Sequence, residues 1–263
     1  MVKRIITAAL LAALAIPCMI MQGIPFLCLV LFFTILAVSE TLGLFKGTWK
    51  KSSLLLLGIV MIVSVLALPS YLGVPLILIS SAIVLVNDEN ARIDQVAIVF
   101  MNALIFILSV ENVRTVGNSL YGAIYFIIFG CSLMCDTGAY FVGRKFGKRK
   151  LCPRLSPKKS VEGAIGGWMF GALTGLLFGV LFINVIPTEL SWPFVIVAAL
   201  VVPLLSEIGD LYFSSIKRYV GIKDFGNIFP GHGGGLDRID GLLFGLMSMR
   251  TLLTIASVIG SLL

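Results

Sequence analysis

The chain has 263 residues, of which 59% are hydrophobic and 13% charged, and it carries a formal net charge of +7. Soluble domains hold about 25% charged residues, so this composition excludes a water-exposed domain of any size and makes the bilayer the solvent. Nucleic-acid binding is excluded as the use of the positive charge, because the basic stretches are short loops without interleaved aromatic platforms.

A spanning helix needs about 20 mostly apolar residues. In chain order the apolar runs fall near Ile5–Met21, Ile24–Phe45, Ser53–Leu68, Tyr71–Val86, Val96–Val110, Ser119–Val142, Gly163–Ile186, Trp192–Ile216 and Gly241–Leu263. They predict an all-α, polytopic membrane protein of about nine crossings. Within hydrocarbon each backbone polar group needs an internal partner, which selects helices, and runs of this length are too long for barrel strands. The third to fifth runs are short. The first resembles a signal peptide, but it is long and another spanning run follows at once, so it reads as a retained helix.

The basic residues set the orientation. Lys3 and Arg4 precede the first run; Lys46, Lys50 and Lys51 follow the second; a run from Arg144 to Lys159 follows the sixth; and Lys217, Arg218, Lys223 and Arg238 follow the eighth. With nine crossings all of these share one side, as does Arg92, while Arg114 falls opposite and Arg250 lies within the last run. The positive-inside rule makes that side, and the N-terminus, cytoplasmic. Five cysteines, most of them in or beside apolar runs, do not form a disulfide framework.

Residues 1–115 are poor in polar groups, with Glu40 a lone carboxylate in a helix, and read as a transmembrane scaffold. Residues 116–263 collect carboxylates, glycines and basic residues at helix ends and read as the catalytic region with its cytoplasmic loops. The seventh run carries Gly163, Gly167, Gly171, Gly175 and Gly179, one glycine per helical turn. This predicts close packing against another helix, of the same chain or of a second copy in a homodimer.

Chemistry concentrates between Ser206 and Asp240. Ser206, Asp210 and Ser214 follow at four-residue steps on one helix face, with Glu207 beside Asp210. Carboxylates in a spanning helix are costly and point to function. Lys217, Arg218, Lys223 and Arg238 can screen phosphates. Gly231, Gly233, Gly234 and Gly235 allow close backbone approach to an anion, and Asp224, Asp237 and Asp240 can hold a hard divalent cation. His232 is the only histidine. A second cluster runs from Asp136 to Gly163 and includes Lys158, Lys159 and Ser160. Its Gly138 and Gly143 have P-loop spacing, but Arg144 and Lys145 stand where a P-loop needs Lys-Ser/Thr.

The Ser214–Asp240 stretch resembles the signature of the phosphatidate cytidylyltransferases, also called CDP-diglyceride synthetases. Ser214, Lys217, Arg218, Lys223, Asp224, Gly226, Phe229, Pro230, His232, Gly233, Gly234, Asp237, Arg238 and Asp240 fit it without a gap. Gly235 departs from it, standing where the family usually has an aliphatic residue. The resemblance implies a multi-pass enzyme of the inner membrane whose active site faces the cytoplasm. In the reaction it implies, phosphatidic acid attacks the α-phosphorus of CTP to give CDP-diacylglycerol and pyrophosphate. It further implies Mg2+ on Asp210 and Asp237, with Asp240 and Asp136 as weaker ligands and the presence of a second cation left open. Lys217 and His232 are implied as catalytic groups, and Lys158, Lys159, Ser160, Ser214, Arg218, Lys223, Gly233, Gly234 and Arg238 as substrate contacts. The rival readings are a CTP-dependent lipid kinase of the polyprenol type and, more remotely, an ion-coupled transporter.

Overall fold

A computed structural model describes residues 2–21, 23–116, 122–184, 191–229 and 233–262. Among these residues lie ten helices and one two-stranded antiparallel hairpin. Seven helical stretches are long and apolar enough to cross a membrane, and Lys51–Leu66 is a shorter apolar helix of 16 residues. The protein is thus an all-α, polytopic membrane protein. Every expected apolar run holds a helix, with the fifth longer than its apolar stretch and the last one interrupted at Ser248.

The chain divides into two compact units, residues 1–114 with 220–239, and residues 115–219 with 240–263. The segment 220–239 belongs to the unit of the N-terminal helices.

The first unit contains α1 (Val2–Met21), α2 (Gly23–Gly43), α3 (Lys51–Leu66), α4 (Ser70–Asn87) and α5 (Ile93–Val116). Leu57, Met61 and Ile77 are fully buried at its centre. Polar groups stitch its loops together. Trp49 stacks on Phe45 with ring centroids 4.8 Å apart and donates its indole N–H to Gln95 at 2.8 Å. Asp88 accepts the amide of Lys50 at 2.7 Å, just ahead of α3, whose first amides lack helical partners. Burial opposes the charge on Asp88, but the Ser53 hydroxyl and the Lys50 and Asn90 amides outweigh it and hold the carboxyl below its ordinary value. These bonds gather the α2–α3 and α4–α5 connections on one side of the unit.

The second unit contains α6 (Gly122–Phe146), β1 (Lys150–Cys152), β2 (Ser156–Ser160), α7 (Val161–Phe182), α8 (Ser191–Val220), most of α9 (Leu236–Met247) and α10 (Met249–Leu262). The hairpin β1–β2 was not foreseen. It turns the charged stretch between α6 and α7 back on itself and is clamped by Glu162, whose carboxylate accepts the amides of Lys148 and Arg149 at 3.0 and 3.2 Å. Ser160 caps α7 by accepting the Gly163 amide at 3.1 Å. The glycine stripe of α7 packs within this chain. A side-chain carbon on Gly171 would stand 2.7 Å from Pro203 of α8 and 2.8 Å from the Cys131 carbonyl of α6, and one on Gly175 would stand 2.5 Å from the Cys131 sulfur. Trp168 donates its indole N–H to the Leu200 carbonyl of α8 at 2.8 Å. Gly138 and Gly143 lie inside α6, which accounts for the rejected P-loop: there is no loop at those positions.

Gly171→Ala forces a methyl against a backbone carbonyl and should destabilise the protein by about 1–3 kcal/mol. Gly43, with nothing within 4 Å of an added carbon, should accept alanine almost neutrally. Thermal unfolding in detergent should show a clear drop in Tm for the first variant and little change for the second.

Candidate active site

In the second unit, carboxylates and ammonium groups from four elements meet. α8 has an apolar N-terminal stretch and then Ser206, Glu207, Asp210, Ser214 and Lys217, so its C-terminal half presents a polar face. Ser206 is fully buried and shares a 2.7 Å hydrogen bond with Ser132 of α6. One turn on, the Cys135 thiol donates to the Pro203 carbonyl at 3.4 Å and to Glu207 Oε1 at 3.6 Å. Cys131 and Cys135 therefore serve packing and local bonding.

Asp210 is the centre of this face. Its Oδ1 accepts the Ser214 hydroxyl at 3.3 Å, as the four-residue spacing required, and its Oδ2 pairs with Lys159 Nζ at 2.5 Å. Lys159 reaches it from β2, so the hairpin is the device that delivers a cation to α8. Burial alone would lower the Lys159 ammonium, but the Asp210 carboxylate outweighs it, with Glu207 and Asp136 adding to the effect, and the group is held above its ordinary value. The lysine's share of this stability is fully present below the ordinary lysine value and is lost as pH rises past the raised one.

Asp240 of α9 lies within electrostatic reach of Asp210, Asp136 and Lys217, and Lys217 Nζ stands 3.8 Å from its Oδ2. Lys217 is 8% exposed. The contact is made possible by close packing of α8 and α9: Gly209 approaches the Asp240 carbonyl and Phe244, and Gly241 approaches Ser206. Arg218 turns to the hairpin, its Nε donating to the Leu155 carbonyl at 3.2 Å, while Lys158 is exposed.

The donor chemistry of this cluster suits a hard cation. Asp136, Glu207, Asp210 and Asp240 face Lys159 and Lys217, so carboxylates exceed ammonium groups by two in the named set. Among the described residues no three acidic, histidine or cysteine side chains converge closely enough to chelate a metal by themselves. Mg2+ does not need such a cage, since it is commonly held by one or two carboxylates with substrate phosphates.

In the first unit, the loop before α9 is organised by two carboxylates. Asp237 Oδ2 accepts the amides of Phe225 at 2.8 Å and Gly234 at 3.0 Å, and Asp237 is 7% exposed. Glu40 of α2 accepts the amides of Gly235 and Leu236, both at 2.8 Å. Gly233 has φ +85°, a left-handed conformation that glycine adopts freely, and bonds back through its carbonyl to the Phe229 amide. The expectation was that the glycine amides of this loop face a bound anion. Those of Gly234 and Gly235 instead face the protein's own carboxylates. At Gly235, the Leu36 side chain stands 3.0 Å from where a side-chain carbon would sit, so Leu36 occupies the space an aliphatic residue there would claim. Lys223, Asp224 and Arg238 are exposed. Pro230, Gly231 and His232 lie outside the described residues.

The structure thus brings together Asp136, Lys159, Asp210, Ser214, Lys217 and Asp240 in one unit, and Gly233, Gly234 and Asp237 in the other, while Ser160 stands beside Lys159 as a helix cap. Glu40 is a participant that sequence reasoning left in the scaffold; its signal was a carboxylate in an otherwise apolar helix.

Comparison with known proteins adds a relationship. The family model described as the cytidylyltransferase family matches residues 2–256. Among curated relatives, a phosphatidate cytidylyltransferase of Bacillus subtilis is 34% identical over 52% of this chain and 50% of its own length. That of Pseudomonas aeruginosa is 46% identical over 48% of this chain and 44% of its own. That of Staphylococcus haemolyticus is 27% identical over 95% of this chain and 98% of its own. The chain spans about half the length of the first of these relatives in the matched segment.

Lys159→Ala leaves Asp210 without its ammonium partner and should cost about 1–3 kcal/mol, the range for hydrogen bonds to charged groups. Hydrogen exchange at residues 156–160 should accelerate selectively, since the hairpin loses one of its two ties to α8 and keeps the bond from Arg218 to Leu155.

Proposed function

The chain belongs to the cytidylyltransferase family, and from that premise we propose that it transfers a cytidylyl group from CTP to phosphatidic acid, releasing pyrophosphate and forming CDP-diacylglycerol. The observation that carries this reading is the Asp210 cluster: carboxylates and lysines from α6, β2, α8 and α9 meeting on polar helix ends.

In the proposed reaction a phosphate oxygen of the lipid forms a bond to the α-phosphorus of CTP. The bond from that phosphorus to the bridging oxygen breaks, and pyrophosphate leaves with the electron pair. Both reactants are anions and the attacking phosphate is already ionised near neutral pH, so no general base is needed. The protein's tasks are charge neutralisation and in-line positioning. Lys217 and Lys159 offset phosphate charge, with Lys158 and Arg218 at the exposed rim and Lys223 and Arg238 on the loop. Ser160 and Ser214 hold Lys159 and Asp210 in place through the α7 cap and the Asp210 bond. His232 keeps the phosphate-directed role that the resemblance implies.

Asp210, with Asp240 and Asp136, would hold Mg2+, and Asp237 keeps the metal role implied by the resemblance. When bound, the ion would neutralise triphosphate oxygens and the charge that develops on pyrophosphate. The protein lies in the inner membrane with nine crossings, its N-terminus and the polar ends of α6, α8 and α9 on the cytoplasmic side, the side rich in lysine and arginine.

The position of a label distinguishes this from γ-phosphoryl transfer by a lipid kinase. Purified protein given phosphatidic acid, Mg2+ and CTP labelled at the α-phosphorus should yield labelled lipid, and γ-label should appear in pyrophosphate. Label in the lipid from the γ-position, with CDP released, would establish the kinase instead. Asp210→Asn should lower kcat at least about a hundredfold, the scale on which a lost charge-stabilising group acts; near-normal turnover would remove Asp210 from the reaction.

A further inference from the structure

Glu40 sits close to the end of α2 with 7% of its surface exposed, yet its partners come from the other end of the sequence. Its Oε1 accepts the Gly235 amide and its Oε2 the Leu236 amide, each at 2.8 Å. Two bonds on separate oxygens fix the carboxylate plane against two successive peptide groups, and charge makes each stronger than a neutral bond. The need they meet is electrostatic. Gly235 and Leu236 open α9, whose first amides have no partner within the helix and carry partial positive charge.

The surrounding glycines follow from this contact. A side-chain carbon on Gly226 would stand 2.6 Å from Glu40 Oε1, and one on Gly234 would overlap the Glu40 carboxylate. The adjoining turn is held by Asp237, which takes the amides of Phe225 and Gly234. Glu40 and Asp237 together engage the amides of Phe225, Gly234, Gly235 and Leu236, so the conformation of the loop is set by two carboxylates of the chain itself.

Resting on the cytidylyl-transfer reading, we infer that Glu40 is a positioning residue of the substrate loop. It takes the place of an external anion at the start of α9 and fixes the segment from which Asp237 and Arg238 project. Substrate phosphate is thereby kept off the Gly235 and Leu236 amides and left to the cationic side chains. The scaffold helix α2 thus takes part in shaping that loop.

The test uses the full chain in lipid nanodiscs and compares Glu40→Gln with Thr41→Val. Thr41 is the next residue on α2 and accepts a buried hydrogen bond from Asn102 at 3.3 Å, without a part in the loop. Glutamine keeps the shape but turns an NH2 group toward one of the two amides. Hydrogen exchange in residues 225–240 should then rise about tenfold, and kcat should fall by about the same factor, for loss of one charge-assisted bond. The KM for phosphatidic acid should stay within about twofold, since the substitution leaves the loop cations Lys223 and Arg238 in place. Thr41→Val should leave exchange in the loop unchanged. Unaltered exchange and kcat in Glu40→Gln would overturn the inference. So would a lowered KM for CTP, which would make Glu40 a competitor of substrate, or equal loosening in Thr41→Val, which would make the effect general destabilisation. Loosening of the loop by Glu40→Gln in a protein whose wild type transfers no cytidylyl group would uphold the clamp and overturn the functional reading.

Discussion

A carboxylate on an apolar helix has to be met by a cation or by amide donors, and this requirement decides what folds against what in each unit. In the second unit Asp210 is met by Lys159, and Asp240 by Lys217. In the first, Glu40 and Asp237 are met by backbone amides. Asp88 solves the same problem at the start of α3. These are costly arrangements. Replacing a buried ion pair by apolar groups is often neutral or stabilising, so folding alone does not account for acids and bases in this number at helix ends.

Close packing is what lets the charges meet. Glycines at 167, 171 and 175 bring α7 against α6 and α8, and Gly209 and Gly241 bring α8 against α9. Lys159 can then reach Asp210 from a hairpin of only two short strands, because Ser160 ends that hairpin by capping α7 and Arg218 holds its turn. Membrane helices gain little from the hydrophobic effect when they associate and rely on such close contact. The glycine stripe and the acidic cluster are in this sense one design.

Much of this was legible in the sequence. Apolar length placed a helix in each apolar run among the described residues, though it read α9 and α10 as one, since hydrocarbon allows few alternatives to a helix. The step of four from Ser206 through Asp210 to Ser214 correctly placed those residues on one face. The hairpin escaped notice because Lys150–Ser160 is broken by Pro153 and Pro157 and has no period-two apolar pattern to betray strands. Glu40 escaped for a different reason: its partners are backbone amides 195 and 196 residues away, and amides leave no mark in a sequence. The loop glycines, read as an open cradle for phosphate, are explained at Gly226 and Gly234 by the carboxylate that fills the space beside them.

The central claim is that the carboxylate at position 210 is present for chemistry rather than for pairing with Lys159. The double variant Asp210→Asn with Lys159→Met removes both charges of the pair together, and Lys159→Met alone separates the loss of the lysine, which also faces Glu207 and Asp136. Turnover of labelled CTP by the double variant, measured beside its thermal unfolding, tests the claim most directly. The account expects a folded protein with Tm close to that of the wild type and no measurable cytidylyl transfer. A stable double variant that turns over at a rate near that of the wild type would contradict it.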